Sequence, residues 1–449
     1  MNDIPRIDEE LTKRVKDIII LLAFVLLTSC AASKEVNTNV TTPAENTDII
    51  SEEESAEIVK RLIDTSNLEG YNPEGYISNS VCDGGDCYYI TGHAFSHQVL
   101  YYMDKATLEC KILCDIEGCQ HNKNTCQACV KGAASNIVYD DGRLYWFSKE
   151  SISDSAKMHT SGVIWCMNLE TKVRARLGEI ENPEGAQSDQ SFGKGCAMGL
   201  SVLYDENGAQ LIGIRFNLST KEKTELFRKN IKMHNASQYF YENCFYYASA
   251  FSYNEGKSSV CAYKWDSDSG EETELLSQTV DEYLPYFADS GDAAGINLYS
   301  VFADYAGGIT AYRLDYSNGV INKIADFDFS EYGSFYDYTN NSEGNISGFK
   351  YVNGVMYAMV KTSENSLVVV GKDKSGSEVF KTNVDNLNVT DFPPHVADMG
   401  ADDRYIFLGV SEQILSRNYQ MNIVVAVPTD GSEPIIVGEH ISDLTYKGW

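Results

Sequence analysis

Residues 213–226 read GIRFNLSTKEKTEL: a strand-like run, a polar turn opening on Asn217, and a second strand-like run. The same unit stands at WCMNLETKVRARL around Asn168, YKWDSDSGEETEL around Asp266 and YRLDYSNGVINKI around Asp315. From Asn168 to Asp315 the turn residue recurs every 49 positions. Further copies lie at YYMDKATLECKIL around Asp104, VVGKDKSGSEVFK around Asp373 and VAVPTDGSEPIIV around Asp430, set 64, 58 and 57 positions from their neighbours. Strand, turn and strand recurring at a fixed period mark a repeat architecture.

A second unit precedes several of these turns: VYDDGRLYWF with Tyr145, YFYENCFYYA with Tyr246, YVNGVMYAMV with Tyr357 and GADDRYIFLG with Tyr405. Each reads as a polar tip followed by an aromatic strand. Two hairpins per repeat make four antiparallel strands in roughly 50 residues, the size of a propeller blade. The fold expected is all-β, a single β-propeller of about seven four-stranded blades over 76–449, with six to eight compatible with the spacing. A sandwich does not demand such recurrence, and β-helix repeats are shorter. Either HISDLTYKGW at the C-terminus or the strand from Tyr76 to Val81 is expected to complete an unfinished blade and leave no open edge. The 29 tyrosines fit strand interiors without any ligand.

The 449 residues carry 36 Lys+Arg against 65 Asp+Glu, a formal charge of −29, with 43% hydrophobic content. This is a globular composition. The cation deficit excludes a nucleic-acid partner, since nothing is left over to displace counterions from phosphate.

At the N-terminus Lys13, Arg14 and Lys16 precede an apolar run, Ile18 to Leu27, too short for a bilayer span of about 20 residues. It reads as a secretory signal, residues 1–29. The acidic start (Asp3, Asp8, Glu9, Glu10) suits translation beginning near Val15. Leu27-Thr28-Ser29-Cys30 resembles the lipobox of bacterial lipoproteins. By that resemblance Cys30 becomes the lipidated first residue, anchoring an extracytoplasmic protein to a bacterial membrane. Residues 30–50, rich in Ser, Thr, Asn and Ala, read as a flexible tether. Ser51 with Glu54 has capping-box form, and Ala56, Val59, Leu62 and Ile63 share a helical face, which predicts a short helix within a lead-in at 51–75.

Twelve cysteines point to an oxidising compartment, a metal site or both. The densest stretch is Cys114-x4-Cys119-x-His121-x4-Cys126. Three thiolates and an imidazole suit tetrahedral zinc, and a closed four-ligand site is structural, with no position for a reacting water. In an exported protein the same cysteines can instead pair as disulfides, with His121 an ordinary loop residue, or stay free thiols. If Cys30 is lipidated the remaining cysteines are odd in number, so disulfides cannot consume them all. Cys82 and Cys87 flank a Gly-Gly hairpin where a local disulfide competes with two thiols.

With lipobox, tether, YY-strand, D-turn and the segment Cys114, Cys119, His121, Cys126 to Ala128 in place, the chain resembles a group of uncharacterised bacterial lipoproteins with TolB-like or related propeller domains. The likeness covers the N-terminus and first blade, and the later blades only as a pattern. It implies an address and a fold rather than an activity.

Other motifs resolve into structure. His93 and His97 lack a carboxylate partner in helical register, and the Asp266-Asp268-Gly270 echo of a calcium loop occupies an ordinary hairpin tip. Phe251 stands where a phosphate loop needs its first glycine, and Gly193, Gly195 and Gly199 precede no helix. No Gly-x-Ser-x-Gly and no His-Glu-x-x-His occurs. The chain is therefore expected not to be an enzyme, but a binding or scaffold module for a protein or glycan partner. The alternatives are a polysaccharide hydrolase or lyase, with acids and tyrosines converging on the channel, and an accessory subunit of an envelope complex.

Overall fold

The computed structural model describes the chain between Tyr76 and Asp443 apart from short stretches, the longest being 335–344 and 385–394. The signal peptide, Cys30, the tether, the helix expected within 51–75, His93 and the tail from 444 lie outside the described residues.

Among the described residues the strands form seven antiparallel sheets. Sheet 1 holds β1 (Tyr76–Ser78), β2 (Val81–Asp83), β3 (Cys87–Thr91), β4 (His97–Asp104), β5 (Cys110–Ile112) and β6 (Cys129–Lys131). Sheet 2 holds β7 (Ala133–Asp140), β8 (Arg143–Asp154), β9 (Lys157–Asn168) and β10 (Arg174–Glu181). Sheet 3 holds β11 (Gln187–Gly193), β12 (Cys196–Asp205), β13 (Gly208–Asn217) and β14 (Lys223–Ile231). Sheet 4 holds β15 (Asn235–Tyr241), β16 (Cys244–Tyr253), β17 (Lys257–Asp266) and β18 (Glu272–Val280). Sheet 5 holds β19 (Tyr286–Asp292), β20 (Gly295–Val301), β21 (Gly308–Asp315) and β22 (Val320–Asp328). Sheet 6 holds β23 (Ile346–Val352), β24 (Val355–Ser363), β25 (Ser366–Asp373) and β26 (Glu378–Val384). Sheet 7 holds β27 (His395–Ala401), β28 (Tyr405–Ile414), β29 (Tyr419–Pro428) and β30 (Ile435–Asp443).

The leading strands neighbour one another, β7 beside β11, β11 beside β15, β15 beside β19, β23 beside β27, and β27 beside β1. Sheets 5 and 6 share a core in which Tyr299, Ile309 and Phe327 meet Ile346, Tyr351 and Met356. The sheets thus follow one another around a ring, and the fold is a seven-bladed β-propeller. Strand β1 also lies beside β19, on the far side of the ring from its own sheet, so this strand occupies the middle of the ring.

Inner strands such as β8 and β24 are buried on both faces, which is why they read as nearly continuous apolar runs rather than alternating with polar residues. In β8, Leu144 and Trp146 join the core shared with sheet 1, while Tyr145 and Phe147 join the core shared with sheet 3. In β24, Met356, Ala358 and Val360 face sheet 5, and Tyr357 and Met359 face sheet 7. Fully burying such a side chain contributes about 1.5–3 kcal/mol, so the blade interfaces are the main stabilising term.

The repeated tips show why Asp or Asn leads them. The Oδ1 of Asn217 accepts the backbone N–H of Ser219 at 2.9 Å and Thr220 at 2.9 Å. Asp104, Asn168 and Asp266 make the equivalent bonds, as only a short side chain with an acceptor can. Four residues on, the chain turns left-handed, at Leu108, Lys172, Lys221 and Gly270, and that residue's N–H returns to the carbonyl of the tip residue.

The expected closure is corrected. Among the described residues every sheet is assembled from strands consecutive in the chain, and no terminal strand completes another's blade; the tail from 444 lies outside them. Side chains close the ring instead. The Tyr88 hydroxyl donates to Asp402 Oδ2 at 2.6 Å, and its ring meets Phe407 edge-on at 4.9 Å. Tyr101 packs where Gly438 has no Cβ, which would stand 2.2 Å from the ring.

Candidate metal centre

The centre grows from an interruption in the outer edge of sheet 1. Strand β5 pairs with Tyr101–Met103 of β4, and β6 pairs with His97–Val99 of the same strand. The two half-strands meet at Leu100, whose carbonyl accepts from Leu113 N at 2.9 Å and whose N–H donates to the carbonyl of Ala128 at 2.9 Å. The chain between Leu113 and Ala128 leaves the edge as a knuckle. Its turns are set by Gly118 at φ +71° and by His121 itself at φ +53°. Cys119 N donates to Ile116 O at 3.2 Å, and Asp115 N to the Gln127 side chain at 2.8 Å.

These turns bring Cys114, Cys119, His121 and Cys126 together, with all four ligand atoms within 4.8 Å of one another. His121 Nδ1 lies 3.3 Å from Cys126 Sγ. A tetrahedral zinc with Zn–S bonds of about 2.3 Å needs sulfur atoms roughly 3.8 Å apart, a separation compatible with four donors that all lie within 4.8 Å of one another. Cys126 is fully buried, and the other three are half-buried.

Electrostatics divides the thiols. Burial acts to raise Cys114, but the backbone N–H groups of Ile116 and Gln127 and the neighbouring thiols outweigh it and hold the group below its ordinary value. Burial pushes Cys126 well above its ordinary value and lowers His121, favouring neutral imidazole. A neutral imidazole is the ligating form.

The remaining cysteines have a different explanation. Cys87, Cys196 and Cys244 each open the second strand of a blade hairpin and stand in register opposite the tip residue, Asp104, Asn217 and Asp266 respectively. They are equivalent positions of one repeat. Cys82 pairs in register with Tyr89, so Cys87 is its diagonal rather than direct neighbour. Diagonal partners are about 7–8 Å apart, beyond disulfide reach. In the structure Cys82 and Cys87 both stand as free thiols, as do the other cysteines whose side chains are described. Burial pushes Cys196 up to about 11 and Cys166 up to about 12, which makes both inert. His97 lies on β4 opposite Lys131, away from the four donors in register.

Two residues of the centre were not singled out in the sequence. Gln127 braces the knuckle through Asp115, and Arg174, from β10 of the next blade, donates through Nη1 to the carbonyl of Cys129. Nothing local in the sequence marks Arg174, because blade packing alone brings it there. A separate cleft of about 340 Å³ lies between the tips of sheets 3 and 4, with Arg215, Glu222, Thr224 and Trp265 in its wall.

No family model and no curated protein matches the chain. Among solved structures it is similar to a prolyl endopeptidase at 8% identity and TM-score 0.46, covering 89% of this chain and 57% of that one. It is similar to the acylaminoacyl peptidase of Pyrococcus horikoshii at 11% and 0.44, covering 81% and 52%. It is also similar to the β-propeller domain of the trilobed protease of Pyrococcus furiosus at 10% and 0.43, covering 83% and 99%. The chain thus spans about half the length of the peptidases, and only their propeller part matches. The expectation that the chain is not an enzyme is corrected by this finding. The lack of a nucleophile motif in the sequence does not by itself exclude catalysis. Such distant likeness speaks of the fold alone.

Proposed function

We propose that the chain is an extracytoplasmic β-propeller, held to a bacterial membrane by lipid on Cys30, that binds a protein or glycan partner through its loops. In this reading Cys114, Cys119, His121 and Cys126 hold a structural zinc that staples the split edge of blade 1. The observation that carries the metal is the convergence of four donors within 4.8 Å at that split. Disulfides fit less well: three thiols leave one unpaired and give His121 no role. The lipobox supports the anchor, and with it the likeness to TolB-like lipoproteins. The cleft of about 340 Å³ between the tips of sheets 3 and 4, with Trp265 and charged Arg215 and Glu222, suits a small polar ligand such as a glycan unit.

The metal is tested by elemental analysis of the purified protein and by thermal unfolding with and without chelator; zinc near one per chain and a chelator-sensitive midpoint are expected. The anchor is tested by incorporation of a labelled fatty acid, which Cys30→Ser abolishes. For the partner, unfolding is followed across glycans and cell-wall fragments, where ligand at 100 times its dissociation constant adds about 2.7 kcal/mol. Silence from every glycan leaves the protein partner, to be sought by crosslinking at the cell surface.

A further inference from the structure

We infer that Arg174, carried by a different blade from the metal ligands, is the positioning residue that balances the charge of the metal complex; this rests on the metal reading above. Three thiolates, one neutral imidazole and a divalent ion together carry one negative charge. A charge removed from water is costly unless it is paired. Arg174 opens β10 in sheet 2, and its Nη1 donates to the carbonyl of Cys129, the residue that ends the knuckle. The N–H of Cys129 in turn reaches the carbonyl of the ligand Cys126 at 3.4 Å. The guanidinium therefore clamps the exit of the knuckle while its charge acts on the sulfur of Cys129, and the thiols of Cys129, Cys126 and Cys114 act on it. Groups beside the ligands orient them and tune affinity as strongly as many ligands do. Arginine suits this place because it stays charged when buried and offers a planar fork of donors. The consequence is structural as well as chemical: loading the metal in blade 1 strengthens a contact to blade 2.

The test uses the full chain in detergent as wild type, Arg174→Gln and Arg174→Lys. Each is titrated with zinc against a chelating dye, and each is loaded with cobalt(II) for absorption spectra. Arg174→Gln is expected to lower zinc affinity about 10–100-fold. It is also expected to shift the thiolate-to-cobalt charge-transfer band and to lower the metal-loaded unfolding midpoint more than the metal-free one. Arg174→Lys, which restores charge without the fork, recovers part of the affinity. Unchanged affinity and spectrum in Arg174→Gln overturn the inference. So does an equal fall of the metal-free and metal-loaded midpoints, the mark of an ordinary tie between blades. A wild-type chain that takes up no metal removes the parent reading, whereas equal binding by wild type and Arg174→Gln removes only the role of Arg174.

Discussion

Sheets 3 and 1 end in different ways at the rim of the ring. In sheet 3 the outer strand β14 is continuous, paired with β13 from Lys223 opposite Phe216 to Ile231 opposite Ala209. In sheet 1 the corresponding edge is two three-residue pieces, β5 and β6, with the knuckle between them. A continuous strand is held by its ladder, but two short pieces make few bonds each and must be brought together against the entropy of the loop that joins them. On the proposed reading, an ion bound by four side chains of that loop would supply the missing constraint. The difference teaches that, on the metal reading, the cysteines near residue 120 serve the edge they interrupt, while those at repeat positions serve the blade interior.

The largest effect expected is from Cys126→Ser. With zinc at 1,000 times its dissociation constant the wild type gains about 4 kcal/mol, and the variant loses that gain. Unfolding with and without zinc checks this, and sheet 3 offers no equivalent response. Ring closure at sheet 1 comes next: Tyr88→Phe removes a hydrogen bond to the Asp402 carboxylate and is expected to cost about 1.5 kcal/mol in denaturant unfolding. At the tip of sheet 3, Asn217→Ala removes the acceptor for two backbone N–H groups and costs about 1 kcal/mol, with zinc making no difference. Smallest is Leu108→Gly at the tip of sheet 1. Leu108 sits at φ +59° where the same turn in sheet 4 has Gly270, so the substitution stabilises by about 0.5 kcal/mol.

Acidity sharpens the same contrast. Metal binding needs thiolates, and burial holds Cys126 above its ordinary value, so protons compete for it as pH falls. Zinc affinity is expected to fall from pH 8 to pH 6, by up to about tenfold per pH unit for each proton taken up. A dye-competition titration at several pH values reads this directly, while sheet 3 stability stays flat over the range.

Much of the fold was legible because the repeats share a physical cause. The turn at Asn217 needs a short acceptor side chain, so Asp or Asn returns at each tip and the blade period appears in the sequence. The 64-position gap from Asp104 to Asn168 exceeds the regular 49 because the knuckle is inserted there. The four donors were legible for a similar reason, since close spacing keeps them in one loop. Ring closure was not. Tyr88 and Asp402 are 314 positions apart, and no local pattern announces a pairing made only by packing. Arg174 escaped notice likewise, and Cys87, Cys196 and Cys244 became equivalent only once strand register was known.

The central claim is that metal in the knuckle holds the split edge of blade 1. Amide hydrogen exchange read by mass spectrometry, with and without zinc, tests it most directly. The account predicts that zinc slows exchange across Cys110–Ile112 and Cys129–Lys131 and leaves Lys223–Ile231 unchanged. Equal exchange of the two half-strands in the presence and absence of zinc would contradict it.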